Sequence, residues 1–145
     1  ALQWMSKKTA LKQDLFLLGP PGSTCRMLAL QFCAMTNQEA MYVHIARDTN
    51  ESDLKQRREI SAGTLSYMNA APVESAVNGR VLIIEGVEKA ERNVLPLLNN
   101  LLENREMALE SGDFLTPRHA PGSGTLPVQS SFLVIAIGLP VPRYA

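Results

Sequence analysis

The sequence has no charge surplus of either sign. Its 145 residues carry 14 Lys plus Arg against 14 Asp plus Glu, a formal net charge of zero. With no global field, nothing in the balance draws in nucleic acid or an anionic membrane. Long hydrophobic runs are also missing, and no apolar stretch approaches the roughly 18 residues that span a bilayer, so no transmembrane segment is expected. Cysteine is scarce. Cys25 and Cys33 are the only two, in no CxxC and no metal-ligand spacing. They read as free thiols from a reducing, intracellular compartment, which argues against a secreted disulfide scaffold. No charged n-region and apolar h-region follow Ala1, and the chain is expected to be a fragment of something longer. With 46% hydrophobic and 19% charged residues, long disorder is excluded, and the length suits one domain around a single core.

The stretch that organises the rest is Asp14 to Arg26, D-L-F-L-L-G-P-P-G-S-T-C-R. An apolar run, Leu15 to Leu18, stops at Gly19-Pro20-Pro21-Gly22, and a segment with helical spacing begins near Ser23. Strand, glycine-rich turn and helix make the layout of a phosphate-binding loop, where backbone N–H groups and a helix N-terminus face an anion. The spacing approaches G-x-x-x-x-G-K-[ST], but Thr24, Cys25 and Arg26 stand where the second glycine, the lysine and the hydroxyl belong.

Taken in order, residues 2–11 read as a short amphipathic helix and 14–18 as a buried strand. Residues 23–37 form a helix with little polar face, expected to be well covered. A second strand spans 41–46, followed by a polar segment, 47–59. Residues 62–78 read as a helix broken near its middle by Pro72 and stopped by Gly79. Val81 to Ile84 has the mark of a strand buried on both faces. Asn93 looks like an N-cap, Pro96 falls in the first turn, and Val94, Leu98, Leu101 and Leu102 make a helical stripe. Residues 107–115 suggest a hairpin around Ser111-Gly112, and 116–130 a loop. Phe132 to Ile137 is the last uninterrupted strand. Strands alternating with helices indicate an α/β layered fold with a mostly parallel sheet.

Phosphoryl transfer needs a cradle, a counter-charge, a metal ligand and a group that orients water. The cradle survives in part. Gly22 to Arg26 each offer an N–H at a helix start, while Pro20 and Pro21 offer none. Cys25 replaces the lysine and Arg26 the metal-binding hydroxyl. After the buried strand V-L-I-I, Glu85 sits where a metal-side acid belongs, and Gly86 has no side chain with which to polarise water. Glu88 reads as a solvated loop charge. Cys25 reads as inert, Lys55 to Arg58 as a solvated charged run, His44 as a satisfied core or surface histidine, and Arg105 as a cation complementing a helix C-terminus. His119 is assigned nothing.

The sequence resembles the large subdomain of an AAA+ ATPase, in the branch shared by MoxR-like proteins, midasin and dynein. The carriers are G-P-P-G after a strand, D-T-N-E-S-D-L, V-L-I-I-E-G-V-E-K-A and L-L-N-N-L-L-E-N-R-E. Longer strings, such as D-L-K-Q-R-R-E-I and G-L-P-V-P-R-Y, narrow the resemblance to the first AAA+ module of large mitochondrial AAA+ proteins that carry a von Willebrand factor A domain. This implies a P-loop NTPase sandwich over residues 1–145, with strands in the spatial order 1-4-3-2, cut before the last strand and the helical lid. It implies a site for ATP or ADP at Gly19, Pro20, Pro21, Gly22, Ser23, Thr24, Cys25, Arg26 and Glu85, weakened by the substitutions, with Mg²⁺ entering only with nucleotide. It places the metal-side and catalytic acids at Glu85 and Gly86, and a sensor residue at Leu139, which is apolar. The expected function is a degenerate module in a larger ATPase ring, whose partners are other AAA+ modules or subunits, in the mitochondrial matrix. The competing expectation is an active ATPase using Arg26 for the phosphates and Glu85 for Mg²⁺.

Overall fold

In the computed structural model, which describes residues 2–20, 22–117 and 124–140, the centre is a four-stranded parallel sheet. Its strands are β1 (Leu15–Leu18), β2 (Ala40–His44), β5 (Val81–Glu85) and β9 (Leu133–Gly138). The order is β1-β9-β5-β2, with Leu15 opposite Ile135, Ile83 opposite Ile135 and Val43 opposite Ile84. This is the 1-4-3-2 arrangement that the resemblance implied.

The two uninterrupted apolar strands take the middle because both their faces are covered. Every residue of β9 is buried, as are the first four of β5. On one face, Val81, Ile83, Ile135 and Ile137 pack with Met5 of helix α1 (Leu2–Ala10) and Ala29, Phe32 and Cys33 of α2 (Thr24–Met35). On the other, Leu82, Ile84 and Val134 pack with Val73 and Ala76 of α4 (Ala71–Asn78) and Leu98 and Leu101 of α5 (Leu95–Asn104). Each of the larger of these side chains, the Val, Leu, Ile, Phe and Met, contributes about 1.5–3 kcal/mol on leaving water. The layers are helix, sheet, helix.

Several expectations need correction. Strand β1 is an edge strand, with Phe16 and Leu18 more than half exposed. Helix α2 is not well covered: Met27, Leu30 and Met35 are exposed. No helix begins at residue 62. Strands β3 (Gln56–Ser61) and β4 (Thr64–Asn69) form an antiparallel hairpin instead. Its turn, Ala62-Gly63, has φ of 51° and 78°, the pair of positive angles that suits the twist of a two-residue hairpin. Pro72 therefore stands in the first turn of α4, where a missing N–H costs little. The polar segment before the hairpin holds a single helical turn, α3 (Glu51–Leu54), closed by a capping box between Asn50 and Asp53. Val94, one residue beyond Asn93, is the N-cap of α5. The 107–115 hairpin forms as β6 (Met107–Ala108) against β7 (Phe114–Thr116), and β8 (Thr125–Pro127) adds a short strand inside the expected loop. His119 lies outside the described residues.

Two polar ties hold the layers in register. Asp14 Oδ1 accepts from Arg105 Nη2 at 2.7 Å and from the Val134 amide at 3.0 Å, so the half-buried Arg105 is held against the domain and stacks over Phe132 at 4.8 Å. At the base of the β3–β4 hairpin, the Ala70 amide donates to the Lys55 carbonyl at 2.8 Å. Beside it the buried Gln56 donates to Asn69 and accepts from the Ser111 amide.

Candidate phosphate-binding cleft

Because the four strands run the same way, their carboxyl ends meet at one edge, where ligands of open α/β sheets bind. Leu18 lies opposite Gly138, Ile137 opposite Glu85, and Glu85 opposite His44. A cleft of about 150 Å³ opens there. The loop after β1 supplies Gly19, Pro20 and Gly22, and the first turn of α2 supplies Cys25; Glu85, Gly86, Glu88 and Lys89 come from β5 and the turn after it; Leu139 follows β9.

The loop side keeps a usable backbone. Gly22 has φ 134°, and a Cβ there would meet nothing within 4 Å, so backbone angle rather than crowding demands glycine. Ser23, the N-cap of α2, makes no side-chain cap hydrogen bond, so the first-turn N–H groups are not capped by that side chain. The residue at the lysine position does not reach across. Cys25 folds back over the loop, its Sγ only 2.5 Å from where a Gly19 Cβ would stand.

The acid side is already engaged. Arg26, in the first turn of α2, donates to Glu85 Oε2 from Nε at 3.1 Å and from Nη2 at 2.8 Å. The Tyr42 hydroxyl donates to the same oxygen, and His44 Nδ1 lies 3.9 Å from it. The guanidinium also stacks 5.3 Å from the Tyr42 ring centroid. Burial pushes the Glu85 carboxyl upward, but hydrogen bonds from Tyr42 and Arg26 outweigh it and hold the group below the usual carboxylate range. Burial, then the neighbouring Glu85, raises the Tyr42 phenol. A divalent ion meets a carboxylate oxygen with three donors on it, two of them from one fixed cation. Among the described residues no cluster of three His, Cys, Asp or Glu side chains could hold a metal. Glu85 with Arg26 beside it is therefore a poor fit for Mg²⁺, which wants six oxygens.

Gly86 is more than a lost side chain. It sits at φ 87°, and a Cβ there would stand 2.5 Å from the Ile45 carbonyl oxygen. Its N–H donates to the Ile137 carbonyl at 3.1 Å, which pins the turn against the sheet.

Of the nine residues expected at the site, Gly19, Pro20, Gly22, Cys25 and Glu85 line the cleft. Ser23 and Thr24 are exposed at the helix start, Arg26 is spent on Glu85, and Pro21 lies outside the described residues. Glu88, read as a loop charge, is exposed yet faces the cleft. Sequence reasoning missed Tyr42, His44 and Lys89. For the first two a signal existed: M-Y-V-H puts them two apart on one face of β2, beside the strand that ends in Glu85.

Residues 14–145 match the AAA domain of the dynein-related subfamily. The chain is 50% identical, over 99% of its length, to von Willebrand factor A domain-containing protein 8 of Mus musculus. It spans only 8% of that relative. Among solved structures, a Cytophaga hutchinsonii protein assigned by name as an ATPase superposes with TM-score 0.66 at 17% identity, over 97% of this chain and 39% of that one. NtrX from Brucella abortus superposes with TM-score 0.67 at 15% identity, over 91% and 27%. At such identities these two speak for the fold alone.

Proposed function

The chain belongs to the dynein-related subfamily of AAA domains, and on that premise we propose that it is a non-hydrolysing member, binding nucleotide weakly or not at all. Its role is structural: it holds a place in a larger AAA+ assembly beside other modules or subunits. The mitochondrial matrix is its proposed location, on the resemblance to large mitochondrial AAA+ proteins. The observation that carries the reading is the Arg26–Glu85 pair, 2.8 Å apart. Hydrolysis requires positive charge on the terminal phosphates, oxygen ligands for the metal and an orienting group for water. Cys25 brings no charge, Arg26 turns an oxygen ligand into a cation, and Gly86 brings nothing. Each such electrostatic loss typically costs about a hundredfold or more in rate, and groups acting as a unit leave little once several are gone. The rewired alternative needs Arg26 free for phosphate and Glu85 free for metal, and the two are spent on each other.

The test is phosphate release from the full-length protein and from its Cys25→Ala/Arg26→Ala double variant. Equal rates are expected. Loss of most of the activity in the variant, with the rest of the protein folded and nucleotide-bound, overturns the proposal.

A further inference from the structure

We infer that the Arg26 guanidinium is a built-in substitute for a divalent cation, so that this cleft excludes Mg²⁺ and ties its own elements together without any ligand. The inference deepens the non-hydrolysing reading of the same site. In an active phosphoryl-transfer site of this kind the metal would be held by a hydroxyl on the loop helix and an acid from another part of the sheet. Here one side chain spans that gap. Arg26 stands in the first turn of α2, and both of its donating nitrogens reach one oxygen of Glu85, 59 residues away. Tyr42 adds a third donor to that oxygen from β2. One carboxylate thus joins α2, β2 and β5.

An exposed ion pair would be weak evidence, since such pairs contribute little. The asymmetry of this one matters. The Arg26 side chain is 42% exposed, but that of Glu85 only 15%. Without the guanidinium, Glu85 would be a largely buried carboxylate held by a phenol, with only His44 beside it at 3.9 Å, and burial of a charge without a full partner is strongly unfavourable. The site therefore needs a cation, and the chain supplies it. The pair is neutral, and Glu88 and Lys89, which also line the cleft, offset each other, so a divalent ion entering beside it would leave two uncompensated positive charges. Oxygen ligands are few: Glu85 Oε2 is taken, Gly86 offers no side chain, and the exposed Glu88 is the other carboxylate that lines the cleft.

The experiment is peptide-resolved hydrogen exchange on the full-length protein, following residues 24–35, 40–46 and 81–90. Four conditions are compared: EDTA alone, Mg²⁺, Mn²⁺, and Mg²⁺ with ATP. Wild-type exchange is expected to agree within about twofold across all four, because a ligand that does not bind the native state adds no protection. In Arg26→Ala, exchange of 81–90 under EDTA is expected to rise about tenfold, and Mn²⁺ or Mg²⁺ to slow it again as the freed Glu85 takes the ion. A wild type that gains protection from Mg²⁺, an Arg26→Ala unchanged under EDTA, or one that no metal restores overturns the inference. If residues 71–78 also open in Arg26→Ala, the module has unfolded, and Tyr42→Phe decides. It removes one donor only, and an unchanged 81–90 peptide there counts against the tie. Phosphate release from the same samples reports on the non-hydrolysing reading separately.

Discussion

The sharpest quantitative expectation concerns Gly86. Two costs meet on adding a methyl group there. The first is the positive φ of 87°, which costs an L-residue about 1–2 kcal/mol. The second is contact with the Ile45 carbonyl, 2.5 Å from the new Cβ, in a backbone fixed by hydrogen bonds from Ile45 to Glu85 and from Gly86 to Ile137. Overpacking of this kind typically costs about 1–3 kcal/mol. Together they put Gly86→Ala at about 3 kcal/mol, or about a hundredfold faster exchange of the amides in β5 and β9. Gly63→Ala is the control, because its φ is 78° but nothing lies within 4 Å of its Cβ. Read on the hairpin's own amides, it should show the angular cost alone, about 1–2 kcal/mol. Gly86→Glu should be at least as damaging as Gly86→Ala and should not restore hydrolysis, since the carboxylate cannot be installed without moving β2 or β5. Equal effects for Gly86→Ala and Gly63→Ala would refute the crowding argument. A stable, hydrolysing Gly86→Glu would refute the whole account of this position.

Removing Asp14 should loosen the far side of the sheet. Asp14→Ala strips Arg105 and the Val134 amide of their acceptor, an expected loss of about 2 kcal/mol read as faster exchange in β9, with Asp14→Asn milder. Ala62→Asn should stabilise the β3–β4 hairpin by up to about 1 kcal/mol, because asparagine tolerates the left-handed angle that Ala62 is forced into; slower exchange across residues 56–69 is the readout. Acid should also loosen the cleft. The folded-state pKa of Glu85 is lowered, so its contribution is fully present above the ordinary carboxylate range and is lost as pH falls through the folded value. Exchange of 81–90, corrected for intrinsic pH dependence, should therefore rise as pH drops below that range, and Glu85→Gln should flatten the response.

How legible all this was depends on what each element buries. Strands β5 and β9 were plain because a strand covered on both faces must be apolar throughout, and Val81 to Ile84 and Leu133 to Ile137 are. The β3–β4 hairpin was not, because almost every residue of it faces solvent and no face imprints an alternation on the sequence. Its turn, Ala62-Gly63, also lacks the asparagine or aspartate that usually marks such turns. Helix α2 misled in the opposite sense: Met27, Leu30 and Met35 look like core residues but lie outside it. At the cleft, Arg26 could be recognised as wrong for a metal site, and Glu85 as standing where its acid belongs. That each occupies the other is a fact of distance, invisible across 59 positions of chain.

The closure of the hairpin at its base reaches beyond stability. The chain leaves the body of the domain at Lys55 and returns at Ala70, two residues joined by one hydrogen bond of 2.8 Å. An arm whose two roots already touch can be lengthened or shortened without asking anything of the sheet, since closing a longer loop costs little extra entropy. Each added cross-strand pair would carry the tip outward by about 3.4 Å. The outreach of this domain, bearing the exposed Ile60 and Leu65 near its end, is thus an adjustable dimension. Descent or engineering can reset it in steps of two residues while the cleft at the sheet's edge keeps its geometry.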